Sequence, residues 1–384
     1  MAGGRRTRIL IVDDSAVMRG LLRSVVCADA SLEVAGTAAD GASALDSIAS
    51  LHPDLILLDV EMPVMDGLVT LKQMRSRGYR MPVIMCSSLT QRGARVTIEA
   101  LAGGASDYVA KAAGQESRET ATRALAQDLI PKIHALTSQI QAIPQGQPQP
   151  VLPGGLRLPL RLPLASRQKI QPISSIPAVL AIGVSTGGPA ALDVLLPAFP
   201  ENFPLPVLIV QHMPEQFTGL FAERLNGRCR LRVREAAEGD AVSAGIIYIA
   251  RGNWHMEVLA ASRTGMPATL HLNQGPLENH CRPAVDALFR SAARVYGSGV
   301  LAVVLTGMGS DGMMGCRTIR EHGGSVLAQD QASSTIWGMP GAVANAGLAH
   351  NVLSLNDLAP EILRIAGRMP AAVGQARELL KSVV

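Results

Sequence analysis

Aromatic residues make up only 3% of this 384-residue chain, against a hydrophobic share of 48%. Its cores must be built from Ala, Val, Ile, Leu and Met, a composition that suits parallel α/β sheets buried on both faces. Cysteines are few and scattered, and Cys27, Cys86, Cys229, Cys281 and Cys316 form no CxxC pair. Neither a zinc site nor a disulfide framework follows from that spacing, and a reducing compartment is expected. No apolar run is long enough for a spanning helix. Acidic residues break the stretch after the basic start "MAGGRRTRILIVDDS" too early for a secretory leader. The expectation is a cytoplasmic protein, not membrane-inserted. Acidic residues are also missing between Asp128 and Asp193, where Lys132, Arg157, Arg161, Arg167 and Lys169 hold the basic excess behind the formal charge of +4. The remainder is close to neutral, which argues against a nucleic-acid binder.

What is present alternates. "RILIV", "EVAGTA", "DLILLD", "PVIMCSS" and "SDYVAK" are strand-like runs separated by helix-sized segments, implying a five-stranded parallel sheet with helices on both faces. The rhythm resumes with "AVLAIG", "PVLIVQH", "GIIYIA" and "VLAVVLTG", giving a second, doubly wound, Rossmann-like α/β domain. Between them lie the Gln/Pro-rich "SQIQAIPQGQPQP" and the repeat "LRLPLRLPL". Proline at that density removes amide donors and prevents regular helix, so this is a linker lying partly extended. The expected division is 1–125, then a helix end and basic linker over 126–175, a second domain over 176–370 and a tail over 371–384.

In open parallel sheets, functional residues gather beyond the carboxyl ends of strands. In the first domain those ends carry Asp13 and Asp14, Asp59, Ser87 and Lys111. Three carboxylates in one crevice repel unless a cation joins them, and a hard, oxygen-seeking ion such as Mg²⁺ suits that demand. The same ion would neutralise a phosphoryl group arriving at one carboxylate, with Lys111 and Ser87 holding its oxygens. A single Asp here could merely cap the next helix, but the whole set is hard to explain that way.

The motifs "VDDS", "DVEMPVMDG", "CSSLT" and "DYVAK" resemble those of a response-regulator receiver domain, which is flavodoxin-like. The resemblance implies that Asp59 is phosphorylated by a sensor histidine kinase, that Asp13, Asp14, Asp59 and the Glu61 backbone serve Mg²⁺, and that Tyr108 is a switch aromatic beside Ser87 and Lys111. One departure is Ala112, where such domains carry proline after the lysine.

The second domain opens with "AVLAIGVSTGGPA", a glycine-rich turn with Ser185 at its tip. As a dinucleotide motif it fails twice. Ser185 stands where a glycine must let pyrophosphate approach, and the next strand ends in Gln211 and His212 rather than an acidic residue for ribose. As a nucleophile turn, "GVSTG" satisfies GxSxG, and Pro189 suits the first turn of the following helix. A serine needs a base, and His212 ends the neighbouring strand. Asp311, in "VLAVVLTGMGSDGMMG", is the matching carboxylate at a third strand end. The chain order Ser, His, Asp differs from the α/β-hydrolases, chymotrypsin and subtilisin.

"IGVSTGGP", "VQHMP", "NHCRPAVDALF", "VLTGMGSDG" and "GMPGAV" are similar to the catalytic domain of the chemotaxis protein-glutamate methylesterases, the CheB family. With the receiver in front, the resemblance covers nearly the whole chain. It implies a phosphorylation-regulated serine esterase that demethylates glutamate methyl esters on methyl-accepting chemoreceptors, often also deamidating glutamines. The family's triad falls on Ser185, His212 and Asp311, with the Met308 amide in the oxyanion hole and no cofactor in the catalytic domain. Departures from the family pattern are Arg251 before Gly252, where proline is common, and Cys281, where histidine is common. A non-enzymatic regulator with a partner- or DNA-binding second domain is the rival reading. The long α/β pattern does not suit a small helical DNA reader.

Overall fold

The computed structural model describes residues 5–88, 90–111, 118–141, 176–263 and 265–367. The Ala112 departure, the LRLP repeat, the Gln/Pro-rich segment after Gln141 and the tail from 371 lie outside the described residues, while the first four residues of that segment, "SQIQ", end a helix.

The first half alternates strand and helix. Its elements are β1 (Thr7–Val12), α1 (Ala16–Cys27), β2 (Leu32–Ala38), α2 (Gly41–Leu51), β3 (Leu55–Asp59), α3 (Gly67–Ser76), β4 (Val83–Ser87), α4 (Gln91–Ala102), β5 (Asp107–Ala110) and α5 (Arg118–Gln141). The strands form the expected five-stranded sheet, in the order β2-β1-β3-β4-β5, with every pair parallel. Alternation along each strand feeds both faces. Leu10, Val12, Ile56 and Leu58 enter one buried cluster, while Ile9, Ile11, Leu55 and Leu57 enter another. The cap of α1 is Ser15, whose hydroxyl accepts from Met18 N. Asp13 and Asp14 are therefore not spent on capping.

The second half comprises β6 (Val179–Val184), α6 (Gly188–Leu195), β7 (Val207–Gln211), α7 (Glu215–Asn226), β8 (Arg232–Glu235), β9 (Ile246–Ile249), β10 (His255–Leu259), β11 (Thr269–Asn273), α8 (Val285–Tyr296), β12 (Val300–Val304), α9 (Met313–Glu321), β13 (Ser325–Gln329), α10 (Met339–Asn345), β14 (Asn351–Leu353) and α11 (Leu355–Ala366). Its main sheet runs β14-β13-β12-β6-β7-β9-β8, all parallel. Five strands go beyond the sequence pattern. β8 ("RVRE") is a charged edge strand, β13 is a buried strand of five residues, β14 is a three-residue edge strand, and β10 and β11 form a separate antiparallel hairpin.

The chain leaves β6 in one direction across the sheet and returns to β12 on its other side. Such a reversal opens a crevice at the carboxyl ends of the two central strands. Ser185 follows β6 there, between the strand ends that lead to His212 and Asp311.

The halves share packing. Ala94 and Ile98 on α4 belong to the same buried cluster as Leu192 on α6 and Phe217 and Phe221 on α7. The Tyr108 ring stacks on Phe217 with centroids 4.9 Å apart, and Ile336 of the second half packs into the cluster between the first sheet, α1 and α5.

One glycine ties sheet packing to the crevice. A Cβ on Gly183 would lie 2.3 Å from Val285 Cγ1, so α8 rests directly on β6 where the strand carries no side chain. Gly183→Ala should push α8 away, costing about 1–3 kcal/mol and roughly 3–10 °C in thermal midpoint. Scanning calorimetry on the variant checks this, and an unchanged midpoint would contradict the packing argument.

Candidate active site

Three loops at neighbouring strand ends bring Ser185, His212 and Asp311 together. The nucleophile turn is fixed by backbone bonds, Ser185 N to Thr306 O at 3.0 Å and Gly188 N to Ser185 O at 2.8 Å. It closes through Gly187 at φ 77°, a left-handed conformation in which any side chain would also strike Thr335. His212 N donates to Val184 O at 3.1 Å, which ties the base to the residue just before the nucleophile.

His212 Nε2 and Asp311 Oδ2 are 2.8 Å apart. Asp311 is buried and takes four further bonds: from Val285 N (2.7 Å), Asp286 N (3.1 Å), Gly312 N (2.9 Å) and Asn279 Nδ2 (2.9 Å). Burial alone would raise its pKa, but the His212 bond and these amides outweigh that and hold it lowered. The imidazole moves the other way. Burial works to lower it, yet the bonds to Asp311 and to Cys281 lift it to about 9. With Nε2–H given to Asp311, Nδ1 is the nitrogen that accepts when the ring is neutral. Among the described residues no hydrogen bond joins Ser185 Oγ to His212, a looseness common in ligand-free sites.

Met308 follows Gly307, whose Cα direction points at Ser185, since a Cβ there would come within 2.8 Å of Ser185 Cβ. The Met308 N–H is not used by any backbone bond among the described residues. It is a donor left free beside the serine.

Sequence reading missed the supports. Gln211 is buried, and its Nε2 donates to the carbonyls of both Ser185 (3.0 Å) and His212 (3.1 Å). Its signal was a lone amide ending an apolar strand. Asn279 also donates to Asp286 Oδ2 at 3.0 Å, so one side chain bridges two carboxylates. The Asp286 pKa is raised, chiefly by burial. The two departures from the family pattern both have partners. Arg251 pairs with Glu215 through Nε at 2.9 Å and lies over the Trp254 ring. Cys281 Sγ lies 3.6 Å from His212 Nδ1.

In the first half, Asp13, Asp14 and Asp59 offer oxygens all within 4.8 Å of one another. Lys111 Nζ reaches Asp13 at 2.8 Å and Asp59 at 2.6 Å. Burial raises the Asp59 pKa despite that lysine, while the same two carboxylates raise Lys111 against its own burial. Glu61 N donates to Asp59 Oδ1 at 3.4 Å, and the Ser87 hydroxyl donates to Ser88 O at 3.1 Å. The all-oxygen donor set, two of its members buried, fits a hard divalent cation such as Mg²⁺. Tyr108 is buried, with Lys132 over its ring and burial holding its hydroxyl well above the usual pKa.

One bond joins the serine turn to the start of β5, the strand whose far end leads to Lys111. Thr186, next to the serine, donates its hydroxyl to Asp107 Oδ2 at 2.5 Å.

Comparison with known proteins accords with this layout. The family model for CheB methylesterase matches residues 180–362, and that for the response regulator receiver domain matches residues 9–123. A protein-glutamate methylesterase/protein-glutamine glutaminase of Trichodesmium erythraeum is 47% identical over 94% of this chain and 99% of its own length. The chain belongs to the CheB methylesterase family. A relative of the same description from Nocardioides sp. is 46% identical over 95% of this chain and 97% of its own. The Thermotoga maritima CheB methylesterase catalytic domain is 38% identical, with a TM-score of 0.48, covering 49% of this chain and 98% of that one. As a CheB-type enzyme the chain is a carboxylic-ester hydrolase with a receiver domain ahead of its catalytic domain. No helix of the described residues is long and apolar enough to cross a membrane.

The raised imidazole makes a stability prediction. His212 moves from 6.5 up to about 9 on folding, so its contribution is complete below 6.5 and fades as pH rises through about 9. The thermal midpoint of wild type minus that of His212→Ala should shrink between those pH values. A constant difference would contradict the ion pair.

Proposed function

We propose that the chain is a phosphorylation-controlled serine esterase that demethylates glutamate γ-methyl esters on methyl-accepting chemoreceptors in the cytoplasm, and that deamidates receptor glutamines at the same site. The observation that carries the chemistry is the buried His212–Asp311 bond at 2.8 Å, one strand from Ser185. Ser185 Oγ attacks the ester carbonyl while His212 accepts its proton at Nδ1. Asp311 keeps the imidazole oriented and favours the imidazolium that forms. The oxyanion takes the Met308 N–H, with the amides that open α6 nearby. The imidazolium returns the proton to the departing oxygen and methanol leaves. Water activated by the same nitrogen then hydrolyses the acyl-serine. We assign this catalytic work to residues 176–370, the receiver to 1–125 and the connection to 126–175.

Control would come from Asp59, phosphorylated by a chemotaxis-type histidine kinase. Asp13, Asp14, Asp59 and the Glu61 carbonyl would hold Mg²⁺, which neutralises charge on the phosphoryl oxygens when bound. Lys111 and Ser87 would take the remaining oxygens. The reading is supported by the contacts between halves. Asp107 and Tyr108 lie on β5, the strand that leads to Lys111, and they engage Thr186 and Phe217 beside the serine turn. A phosphoryl group that draws in Ser87 and Lys111 disturbs that strand end and favours release of the receiver from the crevice.

Two assays test the proposal. Methanol release from methylated receptor should fall by roughly a thousandfold or more in Ser185→Ala, and near-wild-type turnover would sink the triad. A small phosphodonor with Mg²⁺ should accelerate wild type but not Asp59→Asn. Equal acceleration of both would remove Asp59 from control.

A further inference from the structure

Among the described residues, the side-chain contact to His212 Nδ1 comes from Cys281, whose Sγ lies 3.6 Å away. That nitrogen is the one left free by the Asp311 bond. The thiol therefore stands where the Ser185 hydroxyl has to deliver its proton. The loop carrying it is tightly built. Glu278 and Cys281 exchange both backbone bonds, at 3.1 and 2.8 Å, across Asn279 and His280 at φ 50° and 62°. The next residue, Arg282, donates its guanidinium to Asn253 Oδ1 and to the carbonyls of Gln274 and Gly275. From this turn Asn279 grips Asp311 while Cys281 meets His212. One element thus touches both acid and base.

The other thiols are differently placed. Cys86 and Cys316 are buried, and burial pushes Cys86 up to about 12 and Cys316 well up too. Burial lifts Cys229 to about 11, and Cys27 is exposed at the end of α1. Cys281 alone among the described cysteines combines partial exposure with an imidazole partner.

Resting on the triad reading above, we infer that Cys281 is a positioning residue of the esterase: its thiol engages the base nitrogen of His212 in the resting enzyme, and capping that thiol silences the site. The sulfur lies against Nδ1, and this contact is among those that raise the imidazole. Only after the thiol is displaced can Nδ1 take the serine proton. Behind Asp311 stand Asp286 on α8, with Arg290 beyond it, and Cys316 on α9. Alkylation by iodoacetamide forms an S–C bond and breaks C–I. Iodide leaves with the electron pair and the thiol proton passes to His212. The added carboxamidomethyl group then fills the space between the turn and the imidazole.

The test uses the full chain and a peptide carrying a glutamate γ-methyl ester, read by methanol release. Iodoacetamide should inactivate wild type and Cys27→Ser roughly tenfold or more faster than Cys281→Ala or Cys281→Ser. The acidic limb of the kcat/KM profile should move down by about one pH unit in Cys281→Ala. Cys281→Ser, whose hydroxyl can still meet that nitrogen, should move the limb less and keep more of kcat than Cys281→Ala. Label mapped to Cys281 in step with lost wild-type activity supports the inference even if a variant folds poorly. Inactivation of Cys281→Ala at the wild-type rate, or an unmoved limb, overturns it. Ser185→Ala separates the two readings: if it still turns over substrate, the triad itself is wrong. If it is dead while Cys281 variants match wild type throughout, only this inference falls.

Discussion

The carboxylate of Asp311 is the point on which the catalytic half depends. It is buried, yet five donors converge on it: an imidazole, an asparagine amide and three backbone N–H groups. Two of those N–H groups come from the start of α8, where the positive end of the helix also favours an anion. The charge is thus tolerated by preorganised donors rather than by water. The same contacts locate α8 against β6, and β6 carries Ser185. Fold and chemistry therefore share one set of bonds: the glycine that lets α8 approach the sheet also sets where the acid of the proposed triad can sit.

The two halves are joined by a different kind of contact. Thr186 to Asp107 is a side-chain hydrogen bond adjacent to the serine, and Tyr108 on Phe217 is an aromatic stack beside it. Burial raises the Asp107 pKa, with Lys132 opposing. The polar part of the interface gains little net energy once water can replace it, whereas α4, α6 and α7 share an apolar cluster that separation would expose. The proposed control, in which the receiver leaves when its phosphorylation crevice rearranges, therefore has to expose that cluster.

Much of this could be read from sequence because strand ends in parallel sheets are where side chains gather, and short apolar runs mark those strands plainly. Ser185, His212 and Asp311 each follow such a run, as do Asp59, Ser87 and Lys111. The edge strands β8 and β14 were not legible. Their residues alternate charge or span too few positions to give a period. The supports Gln211 and Asn279 were hidden for another reason. Each acts through a side-chain amide reaching a distant backbone or carboxylate, and no local pattern records that geometry. Cys281 stood out as a departure from the family pattern, but only folding brings it to His212.

The central claim is that a Ser185 nucleophile is driven by His212 under the hold of Asp311. It is tested most directly by covalent labelling with a fluorophosphonate, followed by peptide mapping, in wild type and Asp311→Asn. The account predicts label on Ser185 in wild type and labelling roughly a hundredfold or more slower in the variant. Label on another residue, or equal rates in the two proteins, would contradict it.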